Sequence, residues 1–359
     1  NAIGLLIGGL LIPVFGLLMI GDGSLLEGLS VLTTENPEKF KSMGGPTDPV
    51  PFYTIFTGMM LVQLFYWGTN QQIIQRALGA KDLKEGQKGL LLASFIKILG
   101  PIIVVLPGII AFHLFQGNLE SADSAYPMLV KEVLPSAWVG FFAAVLFGAI
   151  LSSFNSVLNS SVTLFGIDVY KQHINKEADE KTIVKYGKIF GVVLAIAAMF
   201  IAPLIANAGS LFDYLQEING IYSIPILTII VVGYLTKRVP AIAAKIGLAS
   251  GCLLYIASQF FMQPYFVSNA LKLAKDNGIK DEAALALIEA QAYPHFLDVM
   301  ALLFILNVGI MLLIGKLYPR KEEFVQEHTK QVDITPWKYT TQAGIAICVI
   351  VIGIYIYFA

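Results

Sequence analysis

Apolar residues run through this chain in blocks of about twenty, and polar residues collect in the intervals. About twenty apolar residues, at 1.5 Å each, cross a hydrocarbon core roughly 30 Å thick. Stretches 1–20, 51–72, 89–115, 137–169, 189–206, 211–236, 241–262, 296–316 and 340–358 meet or approach that length. They predict an all-α, polytopic membrane protein of about nine transmembrane helices. Pro13, Gly68, Pro101, Pro107, Pro203 and Pro225 interrupt several of them. Membrane helices tolerate such breaks where neighbours or cavity water satisfy the freed backbone groups. The intervals 21–50, 116–136 and 263–295 are longer. The last two read as partly helical, amphipathic caps, with Asn277-Gly278 breaking the second.

Composition agrees with this pattern. Hydrophobic residues make up 56% of the chain and charged residues 14%, against roughly 25% charged in a soluble domain. Mean hydropathy is +0.71. A net charge of −1 lacks the basic footprint of a nucleic-acid binder. Cys252 and Cys348 each lie within an apolar run and read as small buried hydrophobes rather than a disulfide or metal pair. The first residues are already apolar, with no basic leader and no cleavage pattern, so the chain reads as the C-terminal part of a longer protein. Most of the 24 Lys and Arg residues fall in the loops spanning 76–88, 171–188, 237–245 and 316–338. These loops are therefore expected on the cytoplasmic side.

Three places carry candidate chemistry. The run from Gln63 to Arg76 holds five amide side chains and the adjacent pair Tyr66-Trp67. An interfacial belt would explain aromatics near a polar helix end. However, a helix entered at Pro51 would put Tyr66 about 22 Å along, deeper than a belt residue sits. Lys97 lies in an apolar stretch, about 12 Å from the cytoplasmic boundary if its helix starts near Gly89. Snorkelling does not easily cover that distance, and a cation at membrane depth is by default functional. Aromatic faces beside amides and an ammonium suit a neutral polyol, whose C–H faces pack on rings while its hydroxyls need donors and acceptors.

The third place is Ala149, Ser152 and Ser153, at i, i+3 and i+4 on one helix face. If that turn loosens, a carbonyl and two hydroxyls face a hard cation such as Na⁺. Tight packing through small residues explains the same pattern equally well. Gln216, about 8 Å below the outer boundary by helical rise, could meet the outer side of a solute resting on Tyr66. Asp168 and Asp298 stand near helix ends and read as ordinary hydrated carboxylates. No nucleotide-binding loop, zinc-ligand spacing or hydrolase elbow occurs, and no paired carboxylates or Ser-His set stands at membrane depth. An enzyme is not expected.

The segment Phe65-Tyr66-Trp67-Gly68…Gln72-Ile73-Ile74-Gln75-Arg76-Ala77-Leu78-Gly79-Ala80-Lys81 resembles the sodium/solute symporter family, in particular its sodium/glucose-galactose cotransporter branch. Further matches are Lys97 before Leu106-Pro107-Gly108, Ala149 to Ser160, and Phe212-Asp213-Tyr214-Leu215-Gln216. The likeness covers most of 51–235 and fades toward the C-terminus. It implies a LeuT-type inverted-repeat fold, present in part. Residues 1–20 would be the last helix of the first repeat, 51–236 the five-helix second repeat, and 237–359 three peripheral helices. It also implies that Tyr66 gates the inner side of a sugar, with Trp67 beside it. Lys97, Gln216 and Gln63 would be ligands and Phe212 an outer hydrophobic gate. Ala149, Ser152 and Ser153 would be this half's sodium ligands. One departure stands out: Gln63 occupies a position where galactose-carrying members have Asn. The first broken helix of the family is absent from this stretch, so these residues alone are expected not to transport.

The expected function is sodium-coupled symport of a sugar or polyol across a plasma membrane, such as a bacterial inner membrane. The implied partners are sodium, a small solute and the bilayer, without nucleic acid. An inositol, a sialic acid or an amino acid remains an alternative solute, and a transporter-like sensor an alternative role.

Overall fold

The computed structural model describes residues 2–48, 50–116, 118–119, 121–205, 211–325 and 332–359, with only the backbone for 211–213. Helices account for the secondary structure among the described residues. They are α1 (Ala2–Ile20), α2 (Leu25–Glu35), α3 (Gly58–Gly68), α4 (Gln71–Leu78), α5 (Leu83–Lys97), α6 (Leu106–Phe115) and α7 (Ala125–Val133). There follow α8 (Ser136–Leu164), α9 (Glu180–Ile205), α10 (Leu211–Leu235), α11 (Ala241–Ala257), α12 (Gln263–Asp276), α13 (Glu282–Ala292), α14 (Phe296–Leu317) and α15 (Thr340–Tyr357). Among the described residues, 8 helical runs are long and apolar enough to cross a membrane.

The ninth expected span, 51–72, is not one helix. A 3₁₀ turn over Phe52–Phe56 precedes α3, and Asn70 separates α3 from α4. Asn70 acts as a cap: its Oδ1 accepts from the Gln72 N–H at 3.0 Å, and its carbonyl accepts from Ile73 and Ile74. Polar side chains at a helix start satisfy otherwise orphaned N–H groups. Because the axis is interrupted at Thr57, a straight rise from Pro51 does not measure the depth of Tyr66. The helix of Lys97 starts at Leu83 rather than Gly89, where Asp82 accepts from the Glu85 N–H at 2.8 Å. Asp179 likewise accepts from the Thr182 N–H, and the hydrogen bonds from Thr182 hold its carboxyl below the ordinary carboxylate range. Of three π-helical segments, Phe165–Ile174 and Ser258–Met262 continue α8 and α11 directly, and Pro101–Val105 runs into α6 after a turn at Ile98-Leu99.

The chain divides into two compact units. The first comprises Asn1–Lys41, Gln75–Leu211 and Ile334–Ala359. Its core of Ile12, Ile109, Ile110, Leu129 and Phe142 joins α1, α6, α7 and α8. Glycines on α1 allow that closeness: a Cβ on Gly8 would stand 2.6 Å from the Phe142 ring, and one on Gly9 the same distance from Ile103. Small residues at membrane-helix contacts let backbones approach in this way. The tail of α8 packs on α9 through Phe165 stacked on Phe190 at 4.2 Å and Tyr170 on Tyr186 at 4.5 Å.

The second unit comprises Ser42–Ile74 and Phe212–Asp333. Its core gathers Val62 of α3, Ile224 of α10, Tyr255 of α11 and Leu297 and Met300 of α14. A lower cluster holds Val232, Ala243 and Met311. At that end, the Arg320 N–H donates to the Arg238 carbonyl and the Phe324 N–H to the Lys237 carbonyl, each at 2.9 Å. Cys252 is half-buried in this unit, whereas Cys348 on α15 is exposed, contrary to its expected burial. α15 is long and apolar enough to cross a membrane, and the chain leaves its cysteine uncovered.

Gly58 makes the tightest backbone approach in the second unit: a Cβ there would lie 1.9 Å from the Leu297 carbonyl oxygen. Main chain cannot yield as a flexible side chain does. Gly58→Ala is therefore expected to destabilise the protein by about 1–3 kcal/mol, the usual range for overpacking. At Gly309 of α14 a Cβ meets nothing within 4 Å, so Gly309→Ala should be neutral or slightly stabilising. Thermal unfolding of the full-length protein in detergent checks the pair, and equal midpoints would contradict this packing.

Candidate functional site

The aromatic candidates stand on α3. Phe65 faces inward and packs edge-on against Tyr222 of α10, with ring centroids 5.9 Å apart. Helical spacing then turns Tyr66 and Trp67 outward, where they are 37% and 41% exposed. They lie edge to face at 5.2 Å. Such a pair presents both a ring face and a polar edge to whatever fills the adjacent space.

Gln63 sits one turn before Trp67, and the two are bonded: the indole Nε1–H donates to the Gln63 Oε1 at 3.0 Å. An indole nitrogen only donates, so this contact fixes the orientation of the amide. Among the described residues, the remaining amide Nε2 reaches the Met59 sulfur alone, at 3.6 Å. A thioether is a weak acceptor, so Gln63 keeps a strong donor available and has its oxygen occupied. The length of the Gln63 side chain lets it span this one helical turn.

Gln216 is half-buried on α10, in the same unit as α3. The Phe212 side chain lies outside the described residues. Lys97 closes α5 in the first unit, and a turn at Ile98-Leu99 separates it from the π-helical segment Pro101–Val105. Tyr66 and Lys97 thus belong to different units.

The small-residue face of α8 is also in the first unit. The helix runs unbroken through Ala149, Ser152 and Ser153, so the expected loosened turn is absent. The oxygens still stand in sequence, because a helical carbonyl keeps a second lone pair and each serine offers a hydroxyl oxygen. Ser152 and Ser153 are about 100° apart around the helix. Ser152 lines an open groove of about 680 Å³ together with Gln75, Arg76, Gly148, Leu151, Asn155, Ser156 and Asn159. Ala149 and Ser153 are not among the residues lining it. Oxygen donors of this kind match a hard monovalent cation better than a transition metal. Among the described residues, no group of three or more His, Cys, Asp or Glu is arranged to hold a metal.

Sequence reading missed the tie between α4 and α8. Gln75 Nε2 donates to the Ser156 carbonyl at 3.3 Å and approaches the Ser156 hydroxyl at 3.5 Å. Asn159 Nδ2 donates to Gln75 Oε1 at 3.5 Å. The amide-rich run around Gln63–Arg76 therefore splits three ways: Gln63 holds Trp67, Asn70 caps α4, and Gln75 fastens α4 to α8. The hint in the sequence is that Ser156 and Asn159 belong to a run rich in polar residues, from Ser152 to Thr163, on a helix whose first half is apolar.

Gln75→Ala removes every one of these side-chain bonds. Amide hydrogen exchange across 71–78 is expected to accelerate about tenfold, the equivalent of roughly 1.4 kcal/mol of lost hydrogen bonding. Unchanged exchange there would show that α4 is held by other contacts.

Comparison with known proteins bears on these residues. A family model described as the sodium:solute symporter family matches residues 1–251. The "Uncharacterized symporter YidK" of Escherichia coli (strain K12) is 45% identical over 99% of this chain and 57% of its own length. The "Sodium/glucose cotransporter" of Vibrio parahaemolyticus is 35% identical over 68% of this chain and 49% of that protein. The human "Sodium/myo-inositol cotransporter 2" is 33% identical over 58% of this chain and 33% of that protein. The chain thus spans between a third and just over half of the length of these relatives.

Proposed function

Because this chain belongs to the sodium:solute symporter family, we propose that the protein takes up a sugar or related polyol together with sodium by alternating access. It is a multi-pass membrane protein, and its family is one of symporters rather than an enzyme class. The observation that carries the solute reading is the exposed group on α3: the Tyr66-Trp67 pair with Gln63 accepting from Trp67, which leaves the Gln63 Nε2 to donate. In this reading the repeat boundaries are those expected from the sequence, with 1–20 ending one repeat, 51–236 forming the other and 237–359 peripheral.

Each residue then has a role. Trp67 offers a ring face to the C–H side of the solute, while Gln63 Nε2 donates to one of its oxygens. Tyr66 closes the inner side, and Lys97 and Gln216 bond further hydroxyls. Phe212 covers the solute from outside. Ala149, Ser152 and Ser153 supply oxygens to sodium, which is cargo here. Coupling requires that sodium bind the outward-open state more tightly than the inward-open one, because a ligand with equal affinity for both shifts nothing. Linkage then makes bound sodium raise solute affinity by the same factor as solute raises that of sodium. Names among the relatives, one a glucose and one an inositol cotransporter, favour a neutral polyhydroxylated solute over an amino acid.

The test uses full-length protein in sealed liposomes with an inward sodium gradient and labelled D-glucose, D-galactose and myo-inositol. At least one should accumulate, and dissipating the gradient should abolish accumulation. Ser153→Ala should raise the sodium concentration for half-maximal uptake, and Lys97→Ala should raise that of the solute. Each is expected to change about tenfold, as for loss of one strong polar contact. Wild-type liposomes that bind solute without accumulating it would overturn symport. Unchanged uptake in both variants would overturn the site assignments.

A further inference from the structure

The outer end of α3 is fastened by a carboxylate that lies more than two hundred residues away in sequence. Asp298 stands in the first turn of α14. Its Oδ2 accepts from the Tyr53 hydroxyl at 2.9 Å, and its Oδ1 accepts from the Thr57 hydroxyl at 3.2 Å. Tyr53 lies in the 3₁₀ turn that leads into α3, and Thr57 is the residue immediately before it. One residue on, Gly58 lies against the Leu297 backbone so closely that no side chain fits between them. Carboxylate, two hydroxyls and a backbone contact therefore meet at one point.

An acidic residue in a first helical turn usually serves its own helix. Here that task falls elsewhere, because the His295 ring nitrogen accepts from the Leu297 N–H at 3.3 Å. Both oxygens of Asp298 are instead engaged by the segment that starts α3. Hydrogen bonds to an ionised acceptor are stronger than neutral ones, and two of them fix direction as well as distance. At its other end, α3 is held by Phe65 against Tyr222. Gln63, Tyr66 and Trp67 lie between or beside these two anchors, with Tyr66 about 14 Å along the helix from Thr57.

We propose that Asp298 is a positioning residue for the solute: by holding Tyr53 and Thr57 it sets where α3 presents Gln63, Tyr66 and Trp67. This rests on the function proposed above and adds a determinant from a peripheral helix. Asp298 itself touches no solute. Its loss lets α3 shift at the outer end and so degrades solute binding without altering the sodium oxygens of α8.

The test uses the full-length protein, with equilibrium binding of the labelled sugar or inositol that the wild type accumulates, at saturating sodium. Sodium binding is measured separately, without solute. Asp298→Asn keeps one acceptor oxygen but sets an N–H₂ against the other hydroxyl, and Tyr53→Phe removes a single hydroxyl with little change of volume. Each should weaken solute binding about tenfold, in line with one charge-assisted hydrogen bond. Sodium binding without solute should stay within about twofold of wild type. Since both substitutions break the same bond, the double variant should fall well short of the product of the two single effects.

Solute binding within twofold of wild type in Tyr53→Phe, with intact folded yield, overturns the proposal. A parallel loss of sodium and solute binding also overturns it, since that marks general destabilisation. If Asp298→Asn does not fold, Tyr53→Phe and Thr57→Val decide the matter alone. A wild-type protein that neither binds nor accumulates any of the three solutes defeats the functional reading. A wild type that accumulates one, with insensitive variants, defeats only the positioning role.

Discussion

Within hydrocarbon, a backbone N–H or C=O that loses its helical partner has no water to replace it, and each such group costs several kcal/mol. That constraint decides where this chain is allowed to interrupt its helices. The breaks on either side of α3 are closed by local bonds: Thr54 donates to the Pro51 carbonyl, Thr69 to that of Phe65, and Asn70 accepts from the start of α4. The π-helical turns are the milder solution, retaining a hydrogen-bonded backbone while changing its pitch. α3 can be short because both of its ends are bonded. Only a short helix displays a compact polar and aromatic patch without burying amides along a full span.

The two units meet this constraint with different side chains. The first leans on glycine: Gly8, Gly9 and Gly16 let α1 press against Phe142, Ile103 and Ile110. Apolar solvent gives helices no hydrophobic reason to associate, so close contact must provide the attraction. The second combines close contact with bonded polar groups. The Tyr255 hydroxyl donates to the Glu217 carbonyl at 2.9 Å, and Ser250 bonds Asn307 at 3.0 Å. Asn307 is fully buried, and its Nδ2 lies where a Cβ on Gly251 would collide with it. A polar group held there fixes how the helices face one another more than it stabilises them.

Much of the architecture was legible in the sequence because hydropathy over twenty residues is a strong signal. Eight of the nine stretches became membrane-length helices, and Gly278 separates α12 from α13 where Asn277-Gly278 said it would, with φ of 83°. The stretch 51–72 misled because its apolar residues are continuous across breaks that only Gly58, Thr69 and Asn70 announce. Asp298 misled for another reason. Its partners are 245 and 241 positions away in the chain, a separation that periodicity cannot bridge, so it resembled any carboxylate at a helix end. The bond between Gln63 and Trp67 was accessible in principle: the residues are one turn apart, and an indole needs an acceptor. Side chains such as Ser152 were identifiable as polar on an apolar helix, but the groove beside them depends on Gln75 and Arg76 arriving from another element.

The π-helical run Phe165–Ile174 changes the phase of everything that follows it. One residue inserted into a helical register rotates the succeeding side chains by about 100°. The stripe that begins with Ser152 and descends through Ser156 and Ser160 therefore does not continue straight into Val169 and Tyr170. It veers; Phe165, where the run begins, stacks on Phe190, and Tyr170 within the run stacks on Tyr186. In evolutionary terms this run can absorb a length change only at the expense of its neighbour's aromatic stack, so loss of a single residue there would be felt in α9 before it was felt along the groove.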